Sequence, residues 1–363
     1  MKIALLNLPI DLNYGGNIQR FALSHVLISM GHDVEHIQLL KNVQIQLPIY
    51  KRYLVYAKRV LDIAIGRKHK DILYERNKIK GYQNVFRFYD KNVPHTDKKF
   101  YNRQDLNDYD WSGFDAFIVG SDQVWREDMT EQIGLDNYFF SFLSTINKIK
   151  IAYAVSFGKD SIKSPKVKFP SIPFLYKGFK AVSVREKSAL EILENEGMNS
   201  PEPEFVLDPT LLLSRQDYVG LLKKEGYDNY CPNRYVLTYF INNDLFEHNV
   251  VREYADKKNL EIVNVTMDSM SKISIPHWIY LFMHAEYVFT DSYHGVVFSL
   301  LFNRPFEIKY NIHGGTSRIE SLMVILGITD SKMIEWNSVN IKISEYRSKS
   351  LDFLRNSLNR ERK

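Results

Sequence analysis

One hexapeptide carries the residue types that acid–base chemistry needs: Thr290-Asp291-Ser292-Tyr293-His294-Gly295. It lies between an apolar run at 285–289, which reads as a buried strand, and a run at 296–302, which reads as a helix. His294 is therefore expected at a strand-to-helix turn. Open α/β sheets bind ligands at the carboxyl ends of their strands, and the free N–H groups of a helix start favour anions. A histidine there can move a proton beside a bound phosphate or carboxylate, or it can cap the helix. Asp291 can orient His294, bind a sugar or cap the same helix, where Ser292 and Gly295 offer backbone to an anion.

The same arrangement recurs. After an apolar run at 3–8 comes Asn13-Tyr14-Gly15-Gly16-Asn17. Two glycines before a helix let the backbone approach a ligand, or form a turn capped by asparagine. After 116–119 comes Gly120-Ser121-Asp122-Gln123-Val124-Trp125. Asp122 is a base, a sugar-hydroxyl ligand or a turn former. Trp125 stacks on a sugar or packs in the core. Gln123, Tyr14 and Tyr293 either donate to substrate or fill the cleft wall. After 181–184 comes Arg185-Glu186, with Arg185 an anion ligand or one half of an ion pair. After 204–207 comes Asp208-Pro209, read as a turn. Lys309 and Arg318, after 306–309, are further cations for an anion or for the structure. Polar residues at strand ends in both halves describe a cleft between two Rossmann-like domains.

The elements that must position them follow from alternation. Strand-like runs at 3–8, 34–39, 116–119, 149–155, 181–184 and 204–207 alternate with helix-like segments, and 235–241, 262–266, 287–290 and 306–309 repeat the logic. Such alternation implies α/β domains with parallel sheets. The expected division is 1–215, with a basic helical insertion at about 45–100, then 216–340, then a last helix in 341–363 that packs back across the first domain.

Composition bounds the class. The chain has 363 residues, 45% hydrophobic and 25% charged, enough for two globular domains. Cys231 is the only cysteine, so a disulfide framework and a cysteine-rich zinc site are excluded, which suits the cytoplasm. No metal is expected. The apolar run after Lys2 is too short for a signal peptide, and no run reaches the ~20 residues of a membrane span. Residues 51–91 hold twelve Lys/Arg against four acids, a net +8 within a chain of +5. Aromatic and aliphatic residues interleave with these cations. The segment reads as a basic amphipathic surface for an anionic membrane or a lipid-linked substrate, or as a solvated insertion. No nucleic-acid motif accompanies the charge, so nucleic acid is not an expected partner.

Taken together, NYGGN, FIVGSDQVW, AYAVSFG, SVRE, VLDPTLLL, TDSYHGVVFSLLFNRPF and TSRIESLMVILGI, in this order over residues 1–330, resemble the polysaccharide pyruvyl transferase family. The resemblance implies two Rossmann-like domains facing a cleft in a GT-B-like arrangement. It implies transfer of pyruvate from phosphoenolpyruvate onto two hydroxyls of one sugar, free or lipid-linked, to give a cyclic ketal in the making of exopolysaccharide, capsule or cell-wall polymers. No cofactor is implied beyond the donor itself. Many members carry an arginine two positions before the corresponding histidine. Ser292 stands there in this sequence, so either Arg318, Lys309 or Arg185 supplies the cation or the donor is held differently. A nucleotide-sugar glycosyltransferase and a non-catalytic sugar-binding or scaffold protein are the alternatives that such a fold leaves open.

Overall fold

The computed structural model describes residues 1–41, 49–65, 74–158, 169–227, 233–242, 247–266, 273–310 and 316–359. The apolar runs of the first half become β1 (Lys2–Leu6), β2 (Asp33–Leu39), β3 (His95–Phe100), β4 (Ala116–Val119), β5 (Ile149–Val155), β6 (Ala181–Val184) and β7 (Pro203–Phe205). Among the described residues these seven form one parallel sheet in the order β3-β2-β1-β4-β5-β6-β7. The helices of this half are α1 (Tyr14–Ser29), α2 (Ile49–Ala64), α3 (Tyr74–Asn92), α4 (Arg103–Asn107), α5 (Ile172–Lys177), α6 (Lys187–Asn195) and α7 (Pro209–Leu212). In the second half β8 (Tyr235–Phe240), β9 (Glu261–Thr266), β10 (Tyr287–Thr290) and β11 (Phe306–Ile308) form a parallel sheet ordered β11-β10-β8-β9. Its helices are α8 (Arg215–Lys224), α9 (His248–Lys258), α10 (Ile275–His284), α11 (Tyr293–Leu301), α12 (Ser317–Leu326) and α13 (Trp336–Leu358).

Helices cover both faces of each sheet, so the central strands are apolar on both sides. Ile3 to Leu6, all of β4 and all of β8 are buried. Strand order reverses between β1 and β4 in the first sheet and between β8 and β10 in the second. Such switch points open a crevice at the carboxyl ends of the strands. One apolar core runs across the interface, from Ile3 and Leu5 through Tyr14 and Leu211 to Trp278 and Phe298. A second lies on the other face of the first sheet, around Trp111, Trp125 and Phe139.

Two expectations change. The segment read as a basic insertion to about residue 100 is not wholly one. Its second half supplies α3, which packs on α1 and α10 and buries Val85, Phe88 and Tyr89, and then edge strand β3. β3 escapes a hydropathy reading because an edge strand has one neighbour. Its sequence HTDKKF buries only Thr96 and Phe100, and lysine on such an edge discourages further pairing. The glycine turn before the first helix is also corrected. Gly15 and Gly16 sit inside the first turn of α1, because Asn13 caps it and accepts the Gly16 N–H at 3.2 Å.

The last helix joins the halves. Near its start, Lys342 Nζ donates to Leu326 O at 3.1 Å. Near its end, Phe353 and Leu354 are buried, Phe353 lies 6.2 Å from the Tyr153 ring, and Ser350 Oγ accepts the Leu207 N–H at 2.9 Å. Burying side chains of this size contributes about 1.5–3 kcal/mol each.

Candidate active site

Four strand ends deliver one cluster. β10 ends at Thr290, Ser292 caps α11 by accepting the Gly295 N–H at 3.4 Å, and His294 enters the first helical turn. A Cβ at Gly295 would overlap the Thr290 hydroxyl, so glycine is what allows α11 to approach β10 this closely. β4 ends before Asp122, whose φ of +82° turns its carboxylate toward the second domain. β6 delivers Arg185 and Glu186, and β7 delivers Asp208. α12 adds Arg318 in its first turn.

The side chains meet in near-complete burial. Arg185 is 1% exposed and Asp208 1%. Arg185 Nη2 pairs with Asp122 Oδ1 at 2.7 Å, its Nη1 with Asp208 Oδ2 at 3.0 Å, and its Nε lies 3.7 Å from Glu186 Oε2. Arg318 Nη1 stands 4.0 Å from Asp122 Oδ1. Both guanidinium groups lie over the Tyr293 ring, at 5.0 and 5.8 Å from its centre. His294 Nε2 is 3.9 Å from Asp208 Oδ2 and makes no hydrogen bond among the described residues. Its other face rests on α1, where a Cβ at Gly15 would overlap Nδ1.

Burial and charge set the protonation states. Burial pulls the His294 imidazole down, Asp208 opposes this and Arg185 reinforces it, leaving a pKa of about 4. His294 is thus neutral near pH 7. Burial pushes the Asp122 carboxyl up, but Arg185 and then Arg318 outweigh it and hold the pKa at about 2. Burial raises the Glu186 carboxyl, with Arg185 only partly offsetting it. Burial and the neighbouring Arg185 lower the Arg318 guanidinium. The Arg185 and Arg318 guanidinium groups thus face the carboxyl groups of Asp122, Asp208 and Glu186, of which burial holds Glu186 toward its neutral form.

Chemically, the arrangement offers a buried imidazole with a free nitrogen, two arginines, and the N-termini of α1 and α11 on either side. Asp208 and Glu186 were missed as site residues. Asp208 does shape the turn before Pro209, accepting from Thr210 N at 3.0 Å. It also bonds Gln19 and Arg185, because its second oxygen faces the cluster. Its signal was position: like Asp122, Arg185 and His294, it stands just beyond a strand.

Other expected site residues lie elsewhere or serve the structure. Asp291 spends both oxygens on the amides of Ile241 and Asn242, at 2.7 and 2.8 Å, so it neither orients His294 nor caps α11. Trp125 packs flat on Phe139 in the second core, with ring centres 4.6 Å apart. Asn17 donates to Asp11 O and Asn13 O and accepts from Arg20, which uses all its polar atoms locally. Tyr14 donates to Ile273 O across the domains at 2.6 Å. Gln123 Oε1 accepts from Arg126 at 2.6 Å. Lys309 pairs with Glu307 and Glu247, outside the cluster. Gly15, Gly16, Ser292, Gly295 and Tyr293 do border it.

The contact at Gly15 gives a test. Gly15→Ala must displace the imidazole, and a misplacement of ~1 Å can cost 10²-fold in rate. Turnover is expected to fall about that far while circular dichroism is unchanged. Gly16→Ala, whose methyl would meet Asn13 at 3.3 Å, is the milder control. Equal turnover in the two variants would show that Gly15 does not fix His294.

Two facing Rossmann-like domains with parallel sheets, joined over a buried cluster of ionisable side chains, define a GT-B-like class of α/β protein. Within it, the chain belongs to the polysaccharide pyruvyl transferase family, whose model matches residues 13–306. It is therefore a member of a transferase family. Solved structures similar to it include UDP-GlcNAc 2-epimerase from Neisseria meningitidis, at 9% identity and TM-score 0.47, covering 99% of both chains. The glycosyltransferase SsfS6 from Streptomyces sp. SF2575 is 12% identical with TM-score 0.38, covering 98% of this chain and 94% of that one. A UGT transferase from Siraitia grosvenorii is 10% identical with TM-score 0.44, covering 98% and 99%. No curated protein matches the sequence.

Proposed function

We propose that the chain transfers pyruvate from phosphoenolpyruvate onto two hydroxyls of one sugar, forming a cyclic ketal. The observation that carries this reading is His294 itself: a buried imidazole with an unpartnered Nε2, between two arginines and two helix N-termini. Its neighbours suit a small donor with a phosphate and a carboxylate. Arg318 is the cation best placed to replace the arginine absent at position 292. Arg185 is held by Asp122 and Asp208 at 2.7 and 3.0 Å, while Arg318 reaches Asp122 only at 4.0 Å.

The steps balance. A proton adds to the methylene carbon of the donor, and a sugar hydroxyl attacks the carbon thus made electron-poor. The second hydroxyl closes the ketal, phosphate leaves with the donor's bridging oxygen, and both hydroxyl protons are released. His294 is neutral at rest, so it acts as the acid only after the donor's negative charge has raised its proton affinity. Asp122, deprotonated and beside Arg185, is the group that receives a hydroxyl proton. Convergence of these groups argues against a passive sugar-binding module.

A donor comparison tests the reading. Phosphoenolpyruvate should raise the melting temperature, since a ligand at 100 times its Kd adds about 2.7 kcal/mol. With diol-bearing sugars it should also release phosphate, and the acceptor should gain the mass of pyruvate less water. Stabilisation and turnover with UDP-sugars but not with phosphoenolpyruvate would overturn the proposal in favour of a glycosyltransferase.

A further inference from the structure

Helix α2 is amphipathic in the wrong sense for a helix that belongs only to this molecule. Tyr53, Leu54, Ala57, Val60, Leu61 and Ile65 recur at spacings of three and four, so they form one stripe. That stripe faces solvent: Tyr53 is 69% exposed, Leu54 68% and Leu61 62%. The opposite side carries Arg59 and Asp62, both buried and both engaged with partners. A soluble helix normally does the reverse. Isolated exposed leucines are ordinary, but a continuous apolar stripe marks an interaction surface.

Charge selects the occupant. Residues 49–65 hold four Lys/Arg and one acid, Asp62, which is turned inward. Lys58 is exposed beside the stripe, and on α3 Lys80 and Arg87 are exposed together with one acid, Asp90. The side chains of Lys51 and Arg52 lie outside the described residues. Lys91 is already paired with Glu225 at 2.9 Å. A second copy docking by the same face would set these like charges against each other. An anionic lipid surface would meet both features, apolar side chains entering the headgroup boundary and lysines pairing with lipid phosphates. No helix among the described residues is long and apolar enough to cross a membrane, so the contact would be peripheral.

We propose that α2 docks the protein onto an anionic membrane surface, with Tyr53, Leu54, Val60, Leu61 and Ile65 as the inserted stripe and Lys58 at its rim. The proposal is independent of the transfer chemistry and does not involve the His294 cluster.

Co-sedimentation of the full chain with phosphatidylglycerol-containing vesicles is the test. At low ionic strength wild type should pellet with them, should pellet far less with pure phosphatidylcholine, and should be released by salt. Leu54→Glu/Leu61→Glu should weaken binding by tenfold or more with an unchanged melting temperature, because both side chains face solvent. Lys58→Gln should weaken it less. Wild type remaining in the supernatant with anionic vesicles would overturn the proposal. So would light scattering that shows a dimer which the double glutamate variant splits, since the stripe would then belong to a second copy.

Discussion

Exchanging Arg185 for methionine is expected to destabilise the protein by about 3–5 kcal/mol, the usual loss when one partner of a buried ion pair is removed. The large value follows from what remains. Asp122 and Asp208 would stay buried at 2.7 and 3.0 Å from a group that no longer carries charge. Glu186, already raised by burial, would simply take a proton. Urea unfolding, read as the midpoint shift at constant slope, measures the loss. Pairing the change with Asp122→Asn should recover part of it, because the two residues share one interaction and their effects do not add. A loss below about 1 kcal/mol, the range of exposed pairs, would mean that water reaches the cluster freely.

His294→Asn is expected to lower pyruvyl-transfer turnover by 10²- to 10⁴-fold, the range for a general acid or base. Its second signature is in stability against pH. The folded protein holds the imidazole pKa near 4, against an ordinary value of 6.5. The unfolded chain therefore takes up a proton that the folded chain refuses. The stability that this difference supplies is intact above pH 6.5 and is lost as pH falls from there toward 4, by up to about 3 kcal/mol. His36, also pulled well down by burial, adds a loss of the same sign. The asparagine variant should keep the His36 part and lose the His294 part, flattening the acid limb of a melting-temperature profile. Identical acid limbs for variant and wild type would show that His294 titrates normally in the fold.

The parts of this molecule that show in its sequence are those whose burial leaves an apolar run. β1, β4, β8 and β10 are buried on both faces and appear as unbroken apolar runs. The carboxyl ends of β4, β6 and β10, and with them Asp122, Arg185 and His294, could be located because parallel sheets present every strand end on one side. Partners set by long-range contact were hidden. Whether Asp208 merely makes a turn depends on Gln19, far earlier in the chain, and on Arg185. Whether Trp125 faces a sugar or a core depends on Phe139, which a short 3₁₀ turn brings back onto it. Asp291 follows a strand just as Asp122 does, yet its carboxylate was claimed by the neighbouring β8 loop. Position after a strand marks candidates, and the local competition among amides decides which keep a free oxygen. β3 shows the opposite limit, since an edge needs so little apolarity that alternation does not register.

The crossing of α13 has a consequence for how the chain comes into being. Phe353, Leu354 and Leu358 belong to the same apolar core as Ile3, Leu5 and Tyr153. As the ribosome delivers the chain, the N-terminal sheet can pair all its strands once β7 has emerged, but the part of its cover that α13 supplies arrives about 150 residues later. At 5–20 residues per second that interval is roughly eight to thirty seconds, with part of an apolar face waiting. A fragment that stops after α7 should therefore be sticky even though its sheet is complete, and removal of the final helix should harm the N-terminal half, the part farthest from it in sequence.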